Sequence, residues 1–205
     1  MTQTQHRVTV IGAGILGAAA AVELASRGHR VAVLDDPAGS PAASDAAFGW
    51  LTRAGSAAAG PGREIPELAS ALRDTRALLA RLDRAPEVAW CGAASWAETP
   101  EQTRAFVAGS GGDAELLDPA GRARALPGLR LAPEAIAWAP NEAALDAWAT
   151  RRALLGHAVR SGAVLRNDRV TGIEALPGGG FRATTASGEQ LDSERIVLAC
   201  GVGIP

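Results

Sequence analysis

The sequence predicts an α/β fold built on a parallel sheet, and three observations carry that expectation. An apolar run rich in β-branched residues, Val8, Val10 and Ile11, leads into the turn Gly12-Ala13-Gly14-Ile15-Leu16-Gly17. That turn opens an alanine-rich stretch with helical character, which ends at Gly28. A second β-branched run, Arg30 to Leu34, follows at once and closes on Asp35 and Asp36. Strand, crossover helix and strand in roughly thirty residues make a parallel βαβ unit.

Length and composition set the frame. The chain has 205 residues, 47% of them hydrophobic and 20% charged, which suits one large or two small globular domains. The net charge of -2 argues against a nucleic-acid or membrane-surface partner. No apolar run is long enough to span a bilayer. The start, Met1 to Arg7, lacks the basic-then-apolar layout of a signal peptide, so a cytoplasmic location is expected. Cys91 and Cys200 are far apart and read as free thiols in a reducing compartment. No metal-ligand spacing is present among the histidines His6, His29 and His157.

The elements follow in order. Arg7 to Ile11 reads as a buried strand, Ile15 to Arg27 as a helix with Gly28 at its C-terminal end, and Arg30 to Leu34 as a strand. Pro37 to Gly62 is dense in small residues and reads as a loop. Glu64 to Leu82 has the spacing of an amphipathic helix. Short strands are expected at Val88 to Trp90, Ala94 to Ala97 and Ala135 to Ala139. Between them a helix starts at Pro100 and breaks at Gly109 to Gly112, and another spans Pro119 to Ala125. Ala143 to Ser161 reads as one long helix. Strands are then expected at Ala163 to Arg166, Arg169 to Ala175, Phe181 to Thr185 and, buried, Arg195 to Ala199, with turns at Pro177 to Gly180 and Gly188.

The glycine turn points to chemistry because it sits between a strand and a helix. There Gly12 permits the tight turn, Gly14 lets backbone approach a diphosphate, and Gly17 allows close packing. The N–H groups at the helix start, at Ile15 and Leu16, would face the phosphates with the positive end of the helix dipole. Asp35, about twenty residues on, stands where an acid binds a ribose 2′-hydroxyl; it disfavours a 2′-phosphate and so NADP. Read alone, the loop leaves FAD and NAD equally open, and Asp35 with Asp36 is also an ordinary polar turn.

Beyond the loop, four segments resemble the D-amino-acid oxidase and glycine oxidase type of FAD-dependent oxidoreductase. They are Val8 to Asp35, Ala43 to Leu51 with Ser44 and Gly49, Asp168 to Ile173 with Val170, and Thr185 to Gly201 with Ala199. The resemblance implies FAD as cofactor and a Rossmann-like FAD/NAD(P)-binding domain interrupted by part of an α+β substrate domain. It implies a first FAD-binding segment at 1–85, a partial substrate domain at 86–141 and a second FAD-binding segment at 142–205. It places Ser44 and Gly49 beside the flavin, the backbone of Val170 at the adenine, and Ala199 and Gly201 in the turn that closes over the cofactor. Read on their own, Ser44 is equally a loop serine, Val170 equally strand core and Gly201 equally a turn glycine.

The implied activity is hydride transfer from a small amine or amino acid to flavin, followed by imine hydrolysis. The catalytic residues stay unassigned: the chain has no Tyr, and Trp50, Arg53 and Arg63 receive no role. Members of the resembling family continue well past this length. Three accounts are therefore open: a fragment of a longer oxidase, one subunit of a split flavoenzyme completed by a C-terminal chain, or a truncated, non-catalytic FAD-binding module.

Overall fold

The computed structural model describes residues 5–36, 38, 43–53, 68–130 and 133–203. The chain divides into two compact units. The first comprises Met1–Phe48, Arg81–Pro86 and Asp146–Pro205; the second comprises Gly49–Ala80 and Glu87–Leu145. Along the first unit run β1 (Arg7–Ile11), α1 (Ile15–Ser26), β2 (Arg30–Asp35) and α2 (Ala43–Ala46). The second unit holds β3 (Trp50–Leu51), α3 (Leu68–Ala80), β4 (Val88–Ala89), β5 (Ala93–Ser95) and α4 (Pro100–Gly109). It continues with β6 (Glu115–Leu116), α5 (Pro119–Ala125), β7 (Ala137–Ala139) and β8 (Ala143–Leu145). The chain returns to the first unit with α6 (Ala147–Arg160), β9 (Val164–Asn167), β10 (Val170–Ala175), β11 (Phe181–Thr185), β12 (Gln190–Ser193) and β13 (Arg195–Leu198).

In the first unit β13, β1, β2 and β9 form a parallel sheet in that order. Register pairs Val8 with both Arg195 and Val31, and Ile11 with both Leu198 and Leu34. Val8, Thr9, Val10 and Ile11 are all buried, as a central parallel strand covered on both faces requires. Helix α1 buries Gly17, Ala18, Ala21, Val22 and Ala25, small residues that admit close packing. It packs against α6, which buries Ala147, Thr150, Leu154 and Ala158 at three- and four-residue spacing. A separate antiparallel sheet, β10-β11-β12, turns at Gly179–Gly180 and Gly188, all with positive φ.

The second unit is made of two small antiparallel sheets, β3-β8-β4 and β5-β7-β6. Ile136, Ala137, Ala139 and Thr103 are buried there. Helix α4 opens with a reciprocal cap: Thr99 Oγ1 accepts from Gln102 N–H, and the Gln102 side chain accepts from Thr99 N–H, with Pro100 at the first turn. Helix α5 is capped by Asp118, which accepts from Gly121 N–H.

Several expectations need correction. The stretch Ala143 to Ser161 is not one helix. Its first three residues form β8, paired with β3 and β4. Asp146 then adopts extended backbone and caps α6 by accepting from Ala149 N–H at 2.8 Å. Alanine propensity is a weak preference that sheet pairing overrides, and the aspartate sets the true helix start. The β13 strand was expected buried, but it lies at the sheet edge: Ile196 and Val197 are half-buried and Leu198 is 50% exposed. The loop expected across Pro37 to Gly62 contains α2 and β3 in its described part, and β6 and β12 were also unforeseen. Residues 64–67 of the expected long helix, and Arg63, lie outside the described residues. Among the described residues, no helix is long and apolar enough to cross a membrane.

Candidate functional site

The three glycines of the strand-to-helix turn do different things. Gly12 has φ +99°, and its N–H donates to the Leu34 carbonyl at 2.7 Å, which hooks the turn to β2. A Cβ at Gly12 would lie 2.5 Å from the Ala199 carbonyl oxygen and 2.8 Å from Cys200 Cα. A Cβ at Gly17 would collide with the Gly12 carbonyl oxygen and stand 3.2 Å from Ala199 Cβ. These two glycines are demanded by the packing of the protein on itself. Gly14 is not. Its φ of -61° suits any residue, and a Cβ there would meet only Ser44 Oγ, at 3.4 Å. The space it leaves is an open cradle at the start of α1.

That helix start is electropositive. Gly14 is its N-cap, with no side-chain cap and no acidic residue in the first turn. The Ile15 N–H donates to Ser44 Oγ at 2.9 Å. The N–H groups of Gly14, Leu16 and Gly17 have no acceptor within the helix, because the first turn of an α-helix supplies none. Together with the helix dipole they suit an anion, and the cradle at Gly14 admits the close approach of a diphosphate. The residues present therefore fit the phosphates of a dinucleotide.

Asp35, at the end of β2, is brought to this turn. Its Oδ1 accepts from Ala13 N–H at 2.9 Å. From α6, Arg151 reaches the same place: its Nε donates to the Ala13 carbonyl at 2.7 Å and its Nη2 lies 3.3 Å from Asp35 Oδ2. Its Nη1 meets both oxygens of Asp45, at 2.8 and 2.9 Å. Each carboxylate oxygen of Asp35 can accept two hydrogen bonds and here accepts one, so capacity remains for a ribose hydroxyl. Arg151 and Asp45 were not singled out in the sequence. They stand 138 and 32 residues from Ala13, and no local pattern joins them.

The other expected positions divide. Ala199 N–H donates to the Ile11 carbonyl at 2.8 Å, which sets Ala199 against Gly12 and Gly17. Gly201, with φ +56°, begins a 3-10 turn that runs to Gly203. Leu16 projects from the first turn of α1 and is 77% exposed. Val170 pairs with Thr185 in β10–β11, and its neighbour Arg169 stands 3.8 Å from Asp36. Gly49 belongs to the second unit. Its carbonyl accepts from Leu145 N–H at 3.0 Å, and a Cβ there would strike the Leu145 carbonyl, so its φ of +75° has a packing reason. In that unit Trp50 Nε1 donates to Glu142, and Arg53 pairs with Asp113 at 2.9 Å.

Fold and turn together define a parallel α/β protein whose glycine-rich strand-to-helix loop is of the type that holds diphosphates. The family model described as FAD dependent oxidoreductase matches residues 7–205, and the chain belongs to that family, which is related to amino-acid oxidases and dehydrogenases. Solved structures share the fold. Glycine oxidase from Geobacillus kaustophilus is 24% identical with a TM-score of 0.79, the match covering 96% of this chain and 55% of that one. Iminodiacetate oxidase from Chelativorans sp. BNC1 is 24% identical with a TM-score of 0.77, covering 95% and 55%. L-amino acid deaminase from Proteus vulgaris is 18% identical with a TM-score of 0.75, covering 97% and 48%. The chain thus spans about half the length of these proteins. No curated protein sequence matches it significantly.

Proposed function

We propose that the first unit binds FAD and that the chain contributes to the oxidation of a small amine or amino acid. The observation that carries this reading is the open cradle at Gly14, set at a helix N-terminus whose N-cap residue has no side chain, with Asp35 fastened beside it. Gly14, Leu16 and Gly17 would present N–H groups to the diphosphate, and Asp35 would accept from the ribose. Ser44 would hold α2 against the first turn of α1. Ala199 and Gly201 would form the cofactor-side turn after β13, with Val170 toward the adenine; the sequence resemblance supports these last roles. When bound, FAD would supply the oxidant that takes a hydride from the C–H beside the substrate nitrogen. The second unit is proposed as the substrate-domain portion. Iminodiacetate oxidase, glycine oxidase and L-amino acid deaminase act on the compounds their names state, which supports a C–N substrate here.

The test is direct. The purified chain, reconstituted with FAD, should show the bound flavin spectrum, and anaerobic addition of a panel of amines and amino acids should bleach it. Bound flavin that no member of the panel bleaches would favour a nucleotide-binding chain without turnover of its own, or one that needs a complementing chain. Failure to take up flavin at all would refute the cofactor assignment.

A further inference from the structure

Two carboxylates stand close to the phosphate turn. Asp35 stands against Ala13, and Asp45 lies one residue from the serine that contacts Ile15. The positive end of α1 is equivalent to only about half a charge, which two carboxylates would outweigh. The group that answers them is Arg151. Its side chain is 19% exposed, and its fork reaches three separate elements at once: the turn through Ala13, the end of β2 through Asp35, and α2 through Asp45. A planar guanidinium spreads its donors over three nitrogens and so reaches all three, whereas an ammonium offers its donors from a single point. The neighbouring Arg152 instead lies over the Trp148 ring at 4.4 Å.

We infer that Arg151 is a positioning residue for the nucleotide: it aims Asp35 at the ribose and offsets the Asp45 carboxylate, which would otherwise stand unanswered beside the helix N-terminus that meets the diphosphate. The inference rests on the reading that the cofactor's diphosphate and ribose occupy this cleft.

The experiment measures dissociation constants for FAD by flavin fluorescence, and for ADP and 2′-deoxy-ADP by competition. The proteins are the unaltered chain, Arg151→Met, Arg151→Lys, Asp45→Asn, the Asp45→Asn/Arg151→Met pair and Gly14→Val, each checked for an intact melt. Arg151→Met should weaken FAD and ADP about tenfold or more, the scale of one lost charge-assisted hydrogen bond. Its preference for ADP over 2′-deoxy-ADP should shrink, and Arg151→Lys should fall between. Asp45→Asn should bind as tightly as the unaltered chain or more tightly. The double variant should regain much of what Arg151→Met loses. A plain structural clamp predicts the reverse: Asp45→Asn weaker, and the double variant no better than Arg151→Met. That result, or unchanged binding by Arg151→Met, overturns the inference while leaving FAD binding intact. If Arg151→Met does not fold, Asp45→Asn decides by the same signs. If the unaltered chain binds neither FAD nor ADP, or Gly14→Val binds FAD normally, the cofactor reading fails and this inference falls with it.

Discussion

The two units are specified by different means. In the first, a central strand buried on both faces, Val8 to Ile11, is flanked by parallel partners and covered by helices packed through alanine and glycine. In the second, the strands are two or three residues long and four of the six are rich in alanine, which buries little apolar area. One buried carboxylate gathers several of that unit's donors. Glu142 is 2% exposed and accepts from Trp50 Nε1 at 2.7 Å, Thr52 Oγ1 at 2.6 Å and the Arg53 N–H at 2.9 Å. Its own carbonyl accepts from Gly92 N–H. Where side chains are too small to define a unique packing, a satisfied buried polar hub defines it instead.

Four measurements would break or sharpen that contrast. The largest effect is expected from Gly17→Val. Its Cβ meets a backbone carbonyl that has no rotamer to retreat to, so the first unit should lose its cooperative thermal transition. Next comes Glu142→Ala, which leaves three half-buried donors without their acceptor and should cost about 3 kcal/mol in urea unfolding. Glu142→Gln should cost clearly less, and an equal cost in both would mean that packing and not acceptance is what matters. Third, Gly14→Val should change stability by under about 1 kcal/mol, because its backbone is ordinary and its surroundings open, yet it should abolish FAD retention. The same substitution three residues apart thus separates a glycine needed by the fold from one needed by the ligand.

The smallest effect concerns acid. In the first unit, hydrogen bonds from His6, Arg182, Ser187 and Arg160 hold the carboxyls of Glu194, Asp192, Asp168 and Asp83 below their ordinary range. In the second unit the carboxyl of Asp74 is lowered, chiefly by Ser70. Carboxyls lowered on folding stabilise above their unfolded values, near pH 4, and that contribution disappears as pH falls through the folded ones. All are exposed, so the effect is modest. Hydrogen exchange followed from pH 5 to pH 3 should show protection falling earlier in the first unit than in the second. The opposite order would show that these pairs do not govern acid stability.

The first unit was largely legible because its signals are local. β1, the glycine turn, α1, Gly28 and β2 follow one another within thirty residues, each with its own period or turn chemistry. The parallel α/β class follows from the same stretch, and the family resemblance is strongest there. Strands of two residues, such as β3 and β6, are too short to show any period, and Ala143-Ala144-Leu145 reads as helix until its sheet partners are known. Gly49, which the resemblance places beside the flavin, also has a packing role against Leu145 that the sequence does not show. Arg151 and Glu142 were illegible for the same reason. Each is an ordinary charged residue whose meaning lies in partners about 90 to 140 positions away.

The placement of β1 between β2 and β13 also has a consequence for synthesis. One neighbour is available as soon as residue 35 leaves the ribosome; the other is some 190 positions downstream, where Glu194 receives the Arg7 N–H and the His6 ring at the entry to β13. At five to twenty residues per second, the central strand waits roughly ten to forty seconds with one side unpaired. Closing so long a loop is also slow compared with forming the local βαβ unit. The nascent chain therefore has a window in which an apolar strand at the heart of the sheet is open to chaperones, or to another copy of itself, before its last partner arrives.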